Sequence, residues 1–250
     1  MTIQEYFGDW SALIDLTEAE RLYHKVSNMQ ALCGNLLSSP ICPLPKDIYR
    51  AFHLCPLHSL KVIIAGQDPY PNLRKATMPC VSAQVLLPVA TGLAFANEPT
   101  TPPHLLSPSL TILRDSVIDF TIPHGILNFD PSLEKWERQG VLLLNTALTC
   151  QTGKPGSHAL LWRPFITQLL TNLSTSMTGI VYILMGSAAQ SFEHCINPKM
   201  NHIIRIRHPS WYARNQAHMP HELWQQVNTI LQGLYGQGIQ WYEEGTVCCD

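Results

Sequence analysis

Four short apolar runs, each stopping at a polar loop, constrain this chain more than any other feature. They are residues 62–65, 141–144, 180–185 and 202–207. Runs of this length, rich in aliphatic and β-branched residues and bounded by turn formers, read as strands. The first gives way to Gly66-Gln67-Asp68, the second to Asn145, the third to Gly186-Ser187 and the fourth to His208-Pro209-Ser210. Helical patterns lie between them, at 47–54, 110–120, 164–173 and 188–195, with a closing helix at 220–234. An opening helix at 16–37 carries Thr17 and Glu20 as a capping box. Strands alternating with helices predict an α/β chain: three layers, α/β/α, around a central four-stranded, mainly parallel sheet. The carboxyl ends of such strands share one edge, where ligands bind. One polar strand end is ordinary. Four that together bring a carboxylate, a carboxamide, an imidazole and hydroxyls predict a site.

The 250 residues and 46% hydrophobic content suffice for one domain with a real core. We read residues 1–250 as that domain, with the helical segment 1–45 packed on it. Charged residues are only 14%, which argues against a disordered chain. A net charge of −2 gives no global nucleic-acid signature, although a local phosphate-gripping face needs none. No apolar run approaches a membrane span, and the first ten residues lack the basic-then-apolar pattern of a secretory signal. A cytoplasmic compartment is expected, or a nuclear one if the source is eukaryotic or a virus acting in a nucleus. The cysteines are Cys33, Cys42, Cys55, Cys80, Cys150, Cys195, Cys248 and Cys249. None shows C-x-x-C spacing, so they read as small buried residues, and no metal or cofactor is expected.

Several loops carry two readings. A rigid loop holds Gln67, Asp68 and Tyr70 at the end of the first strand. Asp68 there suits orienting water or stabilising positive charge, or it is a turn residue capping a helix. Asn145 is a ligand reader or a turn former. Phe95, in the apolar run 92–96, is a ring offered to a ligand or plain core. Ser109 follows the proline-rich run 99–108 and caps the next helix, or offers its hydroxyl to a phosphate. Residues 81–89 form a hairpin arm or a long loop.

From about residue 45 to 241 these motifs, in this order and spacing, resemble the main, uracil-specific family of uracil-DNA glycosylases. GQDPY at 66–70 looks like its water-activating loop. GLAF at 92–95 resembles the uracil-stacking strand, and LLLN at 142–145 the uracil-reading strand. Ser157-His158, Gly186-Ser187 and His208-Pro209-Ser210 are similar to its remaining loops. The resemblance implies a monofunctional hydrolase for base excision repair that flips uracil from DNA, leaves an abasic site and needs no cofactor. It implies that Asn145 reads the uracil edge, Phe95 stacks on the base and Tyr70 excludes thymine. Gln67 would add its backbone, His208 would stabilise the leaving anion, and Asp68 the cationic sugar and the water. Ser109, Ser187 and Ser210, with Gly186 and Pro209, would grip phosphates. Tyr212 falls at the position of the DNA-inserting wedge, with Trp211 beside it. The implied partners are single- and double-stranded uracil-containing DNA and a DNA-mimicking protein inhibitor, met by a monomer. The chain departs from the family pattern at Pro71, at Trp211-Tyr212 and in a longer 71–91 segment. Pro71 and Trp211-Tyr212 keep open, as an alternative, a non-catalytic DNA-binding or replication-accessory protein on the same fold.

Overall fold

The computed structural model describes residues 2–33, 40–78, 83–117 and 127–244. The strands used below are β1 (Val62–Gly66), β2 (Leu73–Met78), β3 (Ala83–Pro88), β4 (Val141–Asn145), β5 (Val181–Met185) and β6 (His202–Ile206). The helices are α1 (Leu16–Cys33), α2 (Pro108–Val117), α3 (Ala159–Ser176), α4 (Gly186–Gln190), α5 (Pro209–Arg214) and α6 (Glu222–Tyr235). The central sheet has the order β4–β1–β5–β6, all parallel, so the expected three-layer α/β/α class holds. Gly66 pairs with Asn145, and Met185 with Ile206. The register therefore brings the polar strand ends level at one edge.

Every residue of β1, β4 and β5 is buried, which is why these strands read as unbroken apolar runs. β4 lies at an edge of the sheet yet offers no free template at Leu143. The Leu143 N–H donates to the Glu137 carboxylate (2.9 Å), and the Leu143 carbonyl accepts from the Ala94 N–H (3.1 Å). Complete burial pushes the Glu137 carboxyl well above the usual carboxylate range. One hydrophobic cluster runs from Phe7 and Trp10 through the sheet to Leu231 and Trp241. The amino-terminal segment is tied to it by Trp10 Nε1–H to the Cys55 carbonyl (2.7 Å) and Tyr49 O–H to the Ala19 carbonyl (2.7 Å). Among the described residues no helix is long and apolar enough to cross a membrane.

Several expectations shift. The start of α1 is capped by Asp15, which accepts the Thr17 and Glu18 N–H groups, so Thr17 already lies inside the first turn. The capping box belongs instead to Thr2 and Glu5, ahead of a short helix at Ile3–Phe7. α2 starts at Pro108, so Ser109 is a buried first-turn residue rather than its cap. α3 runs through Pro164. The turn that Pro164 interrupts is exposed, with Leu160 at 86%. α4 is short and gives way to a tight turn at Glu193–Cys195, while α5 was not anticipated. α6 starts at Glu222, two residues after Pro220, and ends at Gly236 in the left-handed region (φ 70°). Residues 92–96 form bends, not a strand. The open question at 81–89 resolves to an antiparallel hairpin in which β3 pairs with β2 from Leu73↔Pro88 to Met78↔Ala83. The ends predicted for the helices at 16–37 and 110–120, and Cys80, Val81, Cys248 and Cys249, lie outside the described residues. Cys42, Cys55, Cys150 and Cys195 are free and buried.

Candidate active site

At the carboxyl edge of the sheet lies a slot of about 260 Å³. Asp68, Tyr70, Phe95, Ser109, Asn145 and His208 all line it, with Gln67 at its wall. Gly66 makes this convergence possible. A Cβ there would lie 3.0 Å from Phe95 Cζ and 3.1 Å from Asn145 Oδ1. The Phe95 ring and the Asn145 carboxamide occupy the space that any other residue would fill. Phe95 itself has φ 69°, an unfavourable conformation for a bulky residue and of the kind that collects at functional sites.

The loop after β1 is fastened residue by residue. The Gly66 and Gln67 carbonyls accept the Thr146 and Ala147 N–H groups (3.1 and 3.0 Å), and Thr146 Oγ1–H also donates to Gln67 (2.9 Å). The Pro69 carbonyl accepts from the Cys150 thiol (3.4 Å), and the Pro71 carbonyl from the Gly153 N–H (2.8 Å). Tyr70 O–H donates to the Phe95 carbonyl (2.8 Å). One Asp68 oxygen accepts the Gly156 N–H. Burial raises the Asp68 carboxyl above its ordinary value, while hydrogen bonds from Gly156 and Gln67 pull it back. Ser157 and His158 belong to the support of this loop. Ser157 Oγ accepts the Gln151 N–H (2.8 Å). Thr149 Oγ1 accepts the Trp162 indole N–H (2.7 Å) and is hydrogen-bonded to His158 Nδ1 (2.8 Å).

Asn145 is buried, at 6% exposure, and its carboxamide has no hydrogen-bond partner among the described residues. Buried amides are ordinarily satisfied, so a free one aimed into a slot marks a place for a ligand. His208 stands opposite, its ring 5.5 Å from that of Phe95. The Ser210 N–H donates to His208 Nδ1 (3.2 Å), and Ser210 Oγ lies 2.8 Å from the same nitrogen. Nδ1 is thus an acceptor, which leaves the proton of a neutral ring on Nε2. Burial first, and the nearby Arg214 guanidinium second, push the His208 imidazole down to about 4. The ring is therefore a neutral N–H donor at physiological pH. Gly186 has φ +86°, and a Cβ there would lie 2.8 Å from His208 Cβ, so glycine is required at that position twice over.

Beside the slot lies a second cavity of about 350 Å³, lined by Gly186, Ser187, Arg207, Ser210, Trp211 and Arg214 among others. Pro209 is buried as the first residue of α5. Tyr212, expected at the wedge position, is only 8% exposed and packs in the core, and α5 as a whole lies against α2. The more exposed neighbour is Trp211, edge-on to Tyr212 and covered on one face by the Arg207 guanidinium at 3.9 Å. Arg205 is paired with Glu193 (2.5 Å), whereas Arg207 and Arg214 form no ion pair among the described residues. Two contributors escaped sequence reasoning. Gly156 acts through its backbone N–H, which no residue type advertises. Arg214 lines the wall of the slot, and no motif in the sequence marks it.

The family model for the uracil DNA glycosylase superfamily matches residues 52–232. A uracil-DNA glycosylase of Yersinia pestis is 34% identical over 230 residues, covering 90% of this chain and 91% of that protein. One of Sodalis glossinidius is 33% identical over 204 residues, covering 80% and 81%. A mimivirus UNG variant crystallised with UGI superimposes with a TM-score of 0.72 at 22% identity, covering 95% of this chain and 87% of that one. The UNG of Nitratifractor salsuginis gives a TM-score of 0.59 at 22% identity, covering 95% and 96%. The matched span takes in the entire carboxyl edge from Gly66 to Arg214, and this chain belongs to the uracil DNA glycosylase superfamily.

Proposed function

We propose that this chain excises uracil from DNA by hydrolysing the N-glycosidic bond, with the slot as its base pocket. The buried, unpartnered Asn145 carboxamide, facing Asp68 and a neutral His208, is the observation that carries this reading. Uracil presents two carbonyl oxygens and an N3–H. The Asn145 amide group donates to O4 and its carbonyl accepts N3–H. Cytosine offers the opposite pattern at those atoms and leaves the amide mispaired. Phe95 stacks on the ring. Tyr70, tethered through its hydroxyl, stands against C5 so that a thymine methyl collides with it.

As the bond from the sugar C1′ to N1 breaks, negative charge develops on uracil and positive charge on the sugar. His208 Nε2–H donates to uracil O2 and stabilises the leaving anion. Asp68 stabilises the cationic sugar and orients the water that adds to C1′. The Gln67 backbone forms the pocket floor. Ser109, Ser187 and Ser210, with the backbone at Gly186 and Pro209, hold phosphates of the flipped strand. Tyr212 anchors the last loop, and Trp211 is the aromatic that meets the DNA. The chain acts as one monomeric domain on single- and double-stranded DNA. A protein that mimics DNA blocks the same face; the mimivirus UNG crystallised with UGI supports that partner.

The test is release of free base from oligonucleotides carrying a single deoxyuridine, deoxycytidine or thymidine, in single- and double-stranded form. Release of uracil alone is expected. Intact glycosidic bonds in every substrate would leave a DNA-binding protein without this activity.

A further inference from the structure

Arg214 is the one arginine that lines both the base slot and the cavity beside it. It sits at the end of α5, exposed, with no carboxylate paired to it among the described residues. Gln67, His208 and Ser210 form the rest of the shared wall. Arg207 lines only the outer cavity, where Trp211 takes its guanidinium. An unpaired cation at the junction of a base pocket and a hydroxyl-lined cavity acts on both.

We propose that Arg214 is a positioning residue for uracil excision: from the wall that the two spaces share, its guanidinium holds a DNA phosphate in the outer cavity and acts electrostatically on His208. The inference rests on the uracil-excision reading above. The groups facing His208 decide the sign. Asp68 is the anion in the slot, with Tyr70 and Asn145 neutral beside it. The Phe95 ring packs on the imidazole, Gly186 and Ser187 of α4 bring no charge, and α5 brings Ser210 and Arg214. Arg214 is the charged group with the larger influence on the imidazole, after burial itself, and it disfavours a second cation. A positive charge on this wall also favours the developing uracil anion.

The experiment combines ¹⁵N-imidazole NMR of His208 in the free protein with the salt dependence of KM on a single-stranded deoxyuridine oligonucleotide. Wild type is compared with Arg214→Gln, Arg214→Lys and Arg207→Gln. In Arg214→Gln the His208 midpoint is expected to rise from about 4. The slope of log KM against log salt should flatten by about 0.7, the value for one lost phosphate contact on a single strand. Arg214→Lys should restore both. Arg207→Gln should change the salt slope and leave His208 at its wild-type midpoint. The proposal is overturned if Arg214→Gln leaves the His208 midpoint or the salt slope unchanged, or if Arg207→Gln moves the midpoint equally. The NMR arm needs no turnover. A wild-type protein that released no uracil would defeat the activity reading without touching the titration.

Discussion

The base slot and the cavity beside it share a wall yet are made of opposite materials. The slot is buried and holds its polar groups rigid: Asp68 against a backbone N–H, His208 against Ser210, and Asn145 unpaired. The outer cavity is open and cationic, with Arg207, Arg214, Ser187 and Ser210 around it. Fixed dipoles in a desolvated space discriminate, because a mispaired group there costs its full desolvation. Exposed cations and hydroxyls hold a phosphate of any sequence. On the proposed reading, recognition and grip are divided between two neighbouring spaces, with Gln67, His208, Ser210 and Arg214 on the boundary.

If that division is right, substitutions in the slot alter turnover and selectivity, and those outside it alter affinity or stability. Asp68→Asn should lower kcat by roughly 10² to 10⁴-fold while the dissociation constant for DNA stays within about threefold, measured by single-turnover release and by titration. Asn145→Asp should cost about 10 to 100-fold in the ratio of uracil to cytosine release, as expected for one bidentate base contact. On the other side of the boundary, Trp211→Ala should raise KM about tenfold with kcat held, since one stacked aromatic contributes about 1–3 kcal/mol. Tyr212→Ala should act differently from its neighbour. It removes a buried ring and should lower the melting temperature by roughly 6–20 °C. A Tyr212→Ala protein that melts like wild type but binds DNA poorly would move the inserting role back to Tyr212.

The pH dependence sharpens the same contrast. Asp68 works as an anion and its carboxyl is raised above the ordinary 3.8. The rate must therefore fall as pH drops through that raised value, earlier than an exposed aspartate would allow. His208, with its value near 4, takes up its proton only at the acid end of such a profile. A kcat profile from pH 4 to 8 checks this, and Asp68→Asn should abolish the limb.

Much of this was legible in the residues. The three fully buried strands announced themselves as apolar runs, whereas β6, an edge strand, is only partly buried and leaves His202 and Arg205 exposed. The polar strand ends identified Asp68, Asn145 and His208 because parallel register brings such ends together. Phe95 was legible as a residue but not in its setting. The family resemblance implied a strand at 92–95, whereas contacts with β4 and with Asp47 hold it in bends. The cap of α1 was misread because Thr17 and Asp15 both suit it and only the first turn's geometry chooses. The hairpin at β2–β3 stayed ambiguous because its arms alternate poorly and include Pro88. The burial of Tyr212 was hidden because motif position says which residue follows His208-Pro209-Ser210, not which way its ring faces.

The most direct test of the account is a crystal structure of the protein with free uracil. The predicted result has the base in the slot, with O4 and N3–H on the Asn145 carboxamide, O2 on His208 Nε2, the ring against Phe95 and C5 toward Tyr70. Uracil bound elsewhere, or lying in the slot with the Asn145 amide still unpartnered, would contradict it.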